Sequence, residues 1–172
     1  MPKVVLIGFM ASGKSTVAAR LASLLGVPVR EMDDLIIARS SLPSIPAIFE
    51  QHGEPFFRNL ESAVAASLRT EQDVVISTGG GVISRPENMD HLSAGGAVVV
   101  FLRSSFETAE ARSAGLGGRP LFRDGKRARA LFEERAPLYA RWADITIDTD
   151  SRTIDDICAQ IASHVEQSVC RS

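Results

Sequence analysis

Gly8-Phe9-Met10-Ala11-Ser12-Gly13-Lys14-Ser15 is the most informative segment of this chain. It fits the pattern G-x-x-x-x-G-K-[ST] and lies between an apolar run at 4–7 and a segment of helical periodicity at 16–25. In this strand–loop–helix order, bare glycine backbone lets several N–H groups face one anion, and the helix N-terminus adds partial positive charge. The pattern predicts that Lys14 reaches the β- and γ-phosphates of a nucleoside triphosphate and that the Ser15 hydroxyl ligates magnesium.

We expect this loop and the start of its helix to hold the nucleotide phosphates. The predicted nucleotide-binding residues here are Gly8, Ala11, Ser12, Gly13, Lys14, Ser15 and Thr16. The loop alone does not identify a class of protein, since kinases, switch GTPases, motors and transport ATPases share it. The sequence has no Asn-Lys-x-Asp segment that would mark a guanine pocket, and 172 residues are too few for the extra apparatus of a motor.

The composition predicts one soluble domain, 1–172, with 45% hydrophobic and 23% charged residues. A net charge of −2 gives no electrostatic footprint for nucleic acid or an anionic membrane. Only three of the 19 basic residues are lysines, and arginine suits bidentate recognition of phosphate and carboxylate. Cys158 and Cys170 lack metal-ligand spacing, which favours reduced thiols. We therefore expect a cytoplasmic monomer that acts on small molecules, with no nucleic-acid or membrane partner.

Short apolar runs alternate with longer amphipathic segments, which is the pattern of a parallel sheet flanked by helices. The runs predicted as strands are 3–7, 27–30, 73–77, 97–102 and 144–147. The segments predicted as helices outside the region 40–68 are 14–25, 35–39, 86–94, 107–111, 128–139 and 154–169. The fold class is therefore α/β, a three-layer sandwich with a five-stranded parallel sheet.

Acidic residues and glycines stand where two of these strands end. Glu31-Met32-Asp33-Asp34 follows the second strand, at the sheet edge where ligands bind in such folds, and Asp33 or Asp34 could also cap the next helix. Gly79-Gly80-Gly81 follows the third strand and allows a turn whose N–H groups face a ligand. That strand ends at Ile76-Ser77-Thr78, where many ATPases have an aspartate that binds magnesium. Since no aspartate stands there, we expect the acidic residues after the second strand to take part in magnesium binding instead.

Two segments depart from the alternation of strands and helices. Residues 45–68 have helical periodicity after a Ser44 N-cap, and Gly53 and Pro55 predict a break within them. We interpret 33–62 as a helical insertion that covers a ligand. The core of the domain is predicted to consist of 1–32, 72–111 and 127–172. The glycine-rich, basic segment 112–126 is expected to be a mobile lid that brings arginines over the phosphates.

The sequence resembles the shikimate kinase family, small members of the nucleoside-monophosphate-kinase-like group, over nearly its whole length. Beyond the phosphate loop, the resemblance rests on five pieces in order: Glu31-x-Asp33, Ser44-Ile45-x-x-Ile48-Phe49-x-x-x-Gly53-Glu54-x-x-Phe57-Arg58-x-x-Glu61, Gly79-Gly80-Gly81, Arg119-Pro120-Leu121 and Arg135-x-Pro137-Leu138-Tyr139. It implies a P-loop kinase fold with a helical substrate lobe and a mobile lid. It also implies transfer of the ATP γ-phosphoryl group to the 3-hydroxyl of shikimate.

The resemblance assigns roles on the substrate side. Arg58 and Arg135 would clamp the shikimate carboxylate with planar N–H pairs. Asp33 would accept hydrogen bonds from ring hydroxyls and would orient, or deprotonate, the attacking one. The three glycines at 79–81 would contact the substrate through their backbone. Glu61 would hold Arg58 in place.

The resemblance also assigns roles on the nucleotide side. Lys14 and Arg119 would stabilise charge on the moving phosphoryl group, where this reaction gains most of its acceleration. Ser15 would ligate magnesium, with Glu31 acting through a bound water. Arg112 matches a position that packs on adenine, and Arg119 also counts as a nucleotide contact.

Other interpretations of these residues remain open at this point. Arg58 could be only a helix-surface ion pair, and Arg135 could form a salt bridge at a helix C-terminus. The family usually has Asp where this chain has Glu31, and the region 36–43 also departs from the family pattern. The alternatives to a shikimate kinase are a related kinase for gluconate or a nucleoside monophosphate, and a nucleotide-binding module without turnover.

Overall fold

The computed structural model describes residues 2–115 and 124–169. Its strands are β1 Val4–Ile7, β2 Val29–Glu31, β3 Val75–Ser77, β4 Val98–Arg103 and β5 Ile145–Asp148. Its α-helices are α1 Lys14–Leu25, α2 Met32–Ser40, α3 Ile45–Ser67, α4 Pro86–Leu92, α5 Phe106–Gly115, α6 Gly125–Trp142 and α7 Ile154–Val169, and a 3₁₀ turn spans Val82–Ser84.

The five strands form one parallel sheet in the order β2-β3-β1-β4-β5. This arrangement confirms the predicted fold class. The central strand β1 has β3 on one side and β4 on the other, so the chain changes direction across the sheet after β3. All carboxyl ends face one edge, which brings together the loops that follow β1, β2 and β3.

Alternate residues of β1 face two separate apolar layers. Val4 and Leu6 pack in a cluster that includes α1 and α7, whereas Val5 and Ile7 pack in a cluster that includes α3 and α4. All four side chains are fully buried. Because helices cover both faces of the sheet, its strands are near-continuous apolar runs and the molecule has three layers.

Helix α3 contains the predicted break. The Ser44 side chain caps it by accepting from the Ala47 N–H at 3.3 Å. Gly53, at φ 77° and ψ 176°, leaves the helical conformation, and Pro55 follows. The break turns the second half of α3 along the sheet edge, where it carries Arg58 and Glu61.

Some predicted boundaries were wrong. Strand β2 lies two residues later at its start than predicted, and α2 begins immediately after it at Met32. Asp33 and Asp34 therefore lie in the first turn of α2, and the N-cap position belongs to Glu31. Because the strand passes into the helix without a linker, its last residue also occupies the N-cap position. The carboxylates of Asp33 and Asp34 lie in the first helical turn, where negative charge interacts favourably with the helix dipole.

The predicted lid overlaps two helices. Helix α5 continues to Gly115, so Arg112 is helical. Helix α6 begins at Gly125, and the Asp124 side chain caps it by accepting from the Arg127 N–H at 3.1 Å. The remainder of the lid, with Arg119, lies outside the described residues. Within the described ranges, no helix has the length and apolar character needed to cross a bilayer.

Candidate active site

The phosphate loop follows β1 and depends on two glycines. Gly8 has a φ of 147°, and a Cβ built on it would come within 2.6 Å of the Leu102 carbonyl oxygen on the neighbouring strand. Gly13, at φ 94°, occupies the N-cap position of α1. Both residues have backbone conformations that residues with side chains rarely adopt. The motif therefore requires glycine here for steric reasons as well as for close approach of a ligand.

Lys14 lies inside this loop and is only 8% exposed. Its Nζ donates to the carbonyl oxygens of Gly8 and Phe9, both at 2.8 Å, and to Ser12 Oγ at 3.4 Å. These contacts hold the ammonium over the loop, at the place where the pattern requires it to meet phosphate oxygens.

A group of oxygen atoms lies beside the loop at the end of β2. Ser15 Oγ donates to Glu31 Oε2 at 3.2 Å and lies 3.5 Å from Ser77 Oγ. Burial raises the pKa of Glu31, and hydrogen bonds from Ser77 and Ser15 partly oppose that rise. Sequence reasoning missed Ser77, although its position at the end of β3 beside β2 was a usable signal.

This oxygen group fits magnesium. The ion takes hard oxygen ligands and is usually bound by one or two protein groups together with substrate phosphates and water. Ser15 and Glu31 provide a hydroxyl and a carboxylate next to the predicted phosphate position. Among the residues that the structure describes, no group of three or more His, Cys, Asp or Glu could hold a metal by itself, so phosphate and water would have to complete the coordination.

Arg58 is held on the opposite side of the sheet edge by two carboxylates. Its Nη1 donates to Glu61 Oε2 at 2.7 Å, and its Nε and Nη2 donate to Glu54 Oε1 at 3.3 Å. Glu61 is 1% exposed, and burial raises the pKa of its carboxyl although Arg58 acts to lower it. Arg58 therefore forms more than a surface ion pair, because its guanidinium covers a buried charge.

The triple glycine lies directly against this arginine. A Cβ on Gly81 would come within 2.7 Å of the guanidinium carbon of Arg58. A Cβ on Gly79 would lie 3.3 Å from Glu61 Oε1 and 3.4 Å from Asp33 Oδ1. The absence of side chains at 79–81 thus lets Asp33 and Arg58 approach the same stretch of backbone.

Two groups of α6 hold the middle glycine. Arg135 Nη1 donates to the Gly80 carbonyl oxygen at 3.3 Å, and the Tyr139 hydroxyl donates to the same oxygen. Arg135 is 9% exposed, and its contact lies at the sheet edge instead of in a helix-terminal salt bridge. Burial raises the pKa of Tyr139, whose ring stacks on Phe101 at 5.1 Å. The hydroxyl of Tyr139 had no role in the sequence interpretation.

A cavity of about 680 Å³ lies between the phosphate loop, the end of β2 and the first two glycines of the triple glycine. The predicted site residues that line it are Ala11, Ser12, Gly13, Lys14, Ser15, Thr16, Glu31, Asp33, Gly79, Gly80 and Arg112. The predicted site residues Gly8, Gly81, Arg58 and Arg135 do not line it. Its size is within the range of ligand pockets, and its polar groups converge on the phosphate loop.

The far end of the cavity contains residues that the sequence did not single out. Thr149, Arg152, Ile154 and Ile157 line it. Arg112 reaches this end, where Nη1 donates to Thr149 Oγ1 and Nη2 to the Thr149 carbonyl oxygen, both at 3.4 Å. These residues follow β5 at the carboxyl edge, and that placement was the only signal available.

Phe49 and Phe57 are two aromatic residues of α3. Phe57 is buried and Phe49 is exposed, and their rings contact each other at 4.6 Å. Arg58 lies 5.2 Å from the Phe57 ring centre. Phe57 thus supports the arginine from the core side.

Comparison with known proteins agrees with this geometry. The shikimate kinase family model matches residues 10–166. The chain belongs to the shikimate kinase family. It is 42% identical to a shikimate kinase of Thioalkalivibrio sulfidiphilus over 94% of this chain and 85% of that relative. It is 40% identical to a shikimate kinase of Mycobacterium avium over 99% of this chain and 98% of that one.

Solved structures of the family have the same fold. The shikimate kinase of Acinetobacter baumannii in complex with shikimate superposes with a TM-score of 0.89 and 32% identity, covering 97% of this chain and 94% of that one. The shikimate kinase of Aquifex aeolicus superposes with a TM-score of 0.81 and 35% identity, covering 99% of both chains. The resemblance inferred from the motifs is therefore confirmed across the whole fold.

Proposed function

We propose that this shikimate kinase family member transfers the γ-phosphoryl group of ATP to the 3-hydroxyl of shikimate, giving shikimate 3-phosphate and ADP. One observation carries the proposal. Arg58 and Arg135 are both fixed against the triple glycine, and Asp33 faces the same glycines beside the phosphate loop. Two cationic forks and one acid at this spot match a small ring that carries a carboxylate and hydroxyls.

The two sides of the site divide the work of phosphoryl transfer. The attacking hydroxyl oxygen forms a bond to the γ-phosphorus while the bond from that phosphorus to the bridging oxygen of ADP breaks. Asp33 orients the hydroxyl and is placed to accept its proton. Lys14 exchanges its contacts with the Gly8 and Phe9 carbonyls for phosphate oxygens and stabilises the charge that develops on the leaving side.

Ser15 and Glu31 would hold magnesium. The ion, when bound, would neutralise charge on the phosphate oxygens. Glu31 replaces the usual aspartate with a longer side chain, and its contacts with Ser15 and Ser77 keep its carboxylate at the end of β2. Arg119 remains a proposed phosphoryl-stabilising residue on sequence grounds, and Arg112 a proposed nucleotide contact.

We further infer that the enzyme acts as a cytoplasmic monomer. Cys158 is a free, buried thiol, which is compatible with a reducing compartment. Light scattering coupled to gel filtration tests the monomer. A dimer mass that persists on dilution would contradict it.

A coupled assay of ADP release tests the proposed reaction. We expect turnover with shikimate and little or none with quinate, gluconate or nucleoside monophosphates. Phosphate appearing on a nucleoside monophosphate or on gluconate would instead support a related small-molecule kinase. ATP binding with no turnover on any acceptor would support a binding module.

The variant Asp33→Asn tests the assigned acid. We expect it to bind ATP nearly as the wild type does but to lose turnover, because the amide cannot take the proton. The matched control is Asp34→Asn, since Asp34 is the adjacent, exposed carboxylate of the same helix turn. Turnover that survives in Asp33→Asn, or falls equally in both variants, would contradict the role of Asp33.

A further inference from the structure

Helix α4 begins beside both parts of the substrate side of the site. Those parts are the triple glycine and the second half of α3, which carries Arg58 and Glu61. The 3₁₀ turn Val82–Ser84 follows the glycines directly, and α4 begins two residues after it, at Pro86. Helix α4 packs against this turn and against α3. Side chains at its start can therefore contact both parts.

Asn88 holds the turn that follows the glycines. Its side chain is completely buried, and Nδ2 donates to the Val82 carbonyl oxygen at 3.1 Å. The Val82 N–H in turn donates to the Gly79 carbonyl oxygen at 3.2 Å. Two consecutive hydrogen bonds thus connect Asn88 with the glycine that lies against Asp33, where an added Cβ would be 3.4 Å from Oδ1.

The burial of Asn88 has a cost that packing does not explain. Its Oδ1 atom is buried and has no hydrogen-bond partner within residues 2–115 and 124–169. A buried polar atom without a partner is destabilising, and an apolar side chain of the same shape avoids that cost. Leucine has nearly the shape of asparagine. The amide is therefore explained by its contact with Val82 and not by the space that it fills.

Arg85 connects the same region with the second half of α3. Its Nη1 donates to Asn59 Oδ1 at 3.0 Å and to Ser62 Oγ at 3.2 Å. These two acceptors follow Arg58 and Glu61 directly in the sequence. Arg85 thus ties the start of α4 to the segment that carries the proposed carboxylate-binding arginine.

We propose that Asn88 and Arg85 are positioning residues that fix the glycine turn relative to the Arg58 segment. This inference rests on the proposed function, in which both parts bind the acceptor. Neither side chain lines the nucleotide cavity, so each acts through the residues that it contacts. Loss of either contact should weaken acceptor binding and leave ATP binding nearly unchanged.

The variant Asn88→Leu separates a positioning role from a purely structural one. We expect kcat/KM for shikimate to fall about three- to tenfold, mainly through a higher KM, which is the value of one hydrogen bond. The KM for ATP should change less than about twofold. Loss of the Val82 bond and removal of the unpaired Oδ1 offset each other, so the melting temperature should change by less than about 4 °C.

A second variant and a matched control accompany it. Arg85→Met keeps the aliphatic stem but removes both hydrogen bonds, and it should lower kcat/KM for shikimate about two- to fivefold. It also tests the proposal if Asn88→Leu does not fold, because Arg85 is only partly buried. Ser93→Ala is the control, since it removes a 2.7 Å bond to the Met89 carbonyl oxygen at the other end of α4. It should leave the kinetics unchanged.

Amide hydrogen exchange tests the role of Asn88 without any acceptor. In Asn88→Leu the Val82 N–H should exchange at least about fivefold faster than in the wild type, whereas the N–H of Leu6 in β1 should not. Unchanged exchange at Val82 would overturn the proposal, and so would unchanged kinetics in both variants or an equal loss for ATP and shikimate. If the wild type does not phosphorylate shikimate, the proposed function is wrong, and the exchange rates still test whether Asn88 holds the turn.

Discussion

Gly81→Ala is the sharpest test of how the substrate side is built. Gly81 has φ −97° and ψ 0°, which alanine adopts without backbone strain. The added methyl group would, however, come within 2.7 Å of the guanidinium carbon of Arg58. Because the arginine side chain is the flexible partner, it moves, and it leaves the position from which it donates to Glu61 at 2.7 Å.

The loss is set by the hydrogen bonds that Arg58 is proposed to make to the substrate carboxylate. A hydrogen bond to a charged group contributes about 1.5–3 kcal/mol, so we expect kcat/KM for shikimate to fall about 10- to 150-fold. The KM for ATP should change less than about twofold, because Lys14 and the phosphate loop lie on the other side of the site. Steady-state kinetics with each substrate varied in turn measure both values.

Two controls separate displacement of Arg58 from other effects. Gly125→Ala adds the same methyl group where the nearest atom is Glu110 Oε1 at 3.8 Å, and it should leave the kinetics unchanged. In a double-mutant cycle, Gly81→Ala added to Arg58→Ala should cost nothing further, since its target has gone. Additive losses in kcat/KM would refute the reasoning, because the methyl group would then act without the arginine.

Three further predictions concern single contacts. Tyr139→Phe, which removes the hydroxyl that holds the Gly80 carbonyl but keeps the ring, should raise the KM for shikimate a few-fold and lower the free energy of unfolding by about 0.5–1.5 kcal/mol, measured by kinetics and urea unfolding; an unchanged KM would show that the hydroxyl does not position the glycines. Because the pKa of Glu61 is raised in the folded state, the native state binds more protons than the unfolded chain at pH values above the ordinary pKa of 4.5. The free energy of unfolding of the wild type should therefore fall, relative to that of Glu61→Gln, as pH rises from about 4.5 through the folded-state pKa. Urea unfolding across that window checks the sign, and a gain for the wild type would mean that its arginine partner outweighs burial. Gly8→Ala should abolish ATP binding in calorimetry, because its Cβ would approach the Leu102 carbonyl to 2.6 Å; retained binding would mean that the loop can shift without losing its shape.

Local signals predicted the elements with short-range causes. The phosphate loop, the α1 boundaries, the Ser44 cap and the break at Gly53 are each set by a few neighbouring residues, and all four were correct. The predicted start of α2 was wrong, because β2 passes straight into the helix and no turn residue marks that boundary in the sequence.

The site residues also divide into features that local sequence predicts and contacts that it does not. The candidates Arg58, Asp33 and the triple glycine came from motifs, but no spacing in sequence states that Gly81 touches a guanidinium or that Glu61 is buried beneath it. The Tyr139 contact with Gly80 joins residues 59 positions apart. Such contacts exist only after the parallel strands align their carboxyl ends.

The residue pattern alone predicted a triphosphate loop on a parallel α/β sheet, with acids and arginines in the order of a shikimate kinase. These properties follow from local backbone preference and from the periodicity of apolar residues. Which groups meet depends on the three-dimensional fold, as for the Ser15–Glu31–Ser77 oxygens and for the two arginines on the glycine turn. The physical reason is that these contacts depend on the sheet order β2-β3-β1-β4-β5, which brings loops far apart in sequence to one edge.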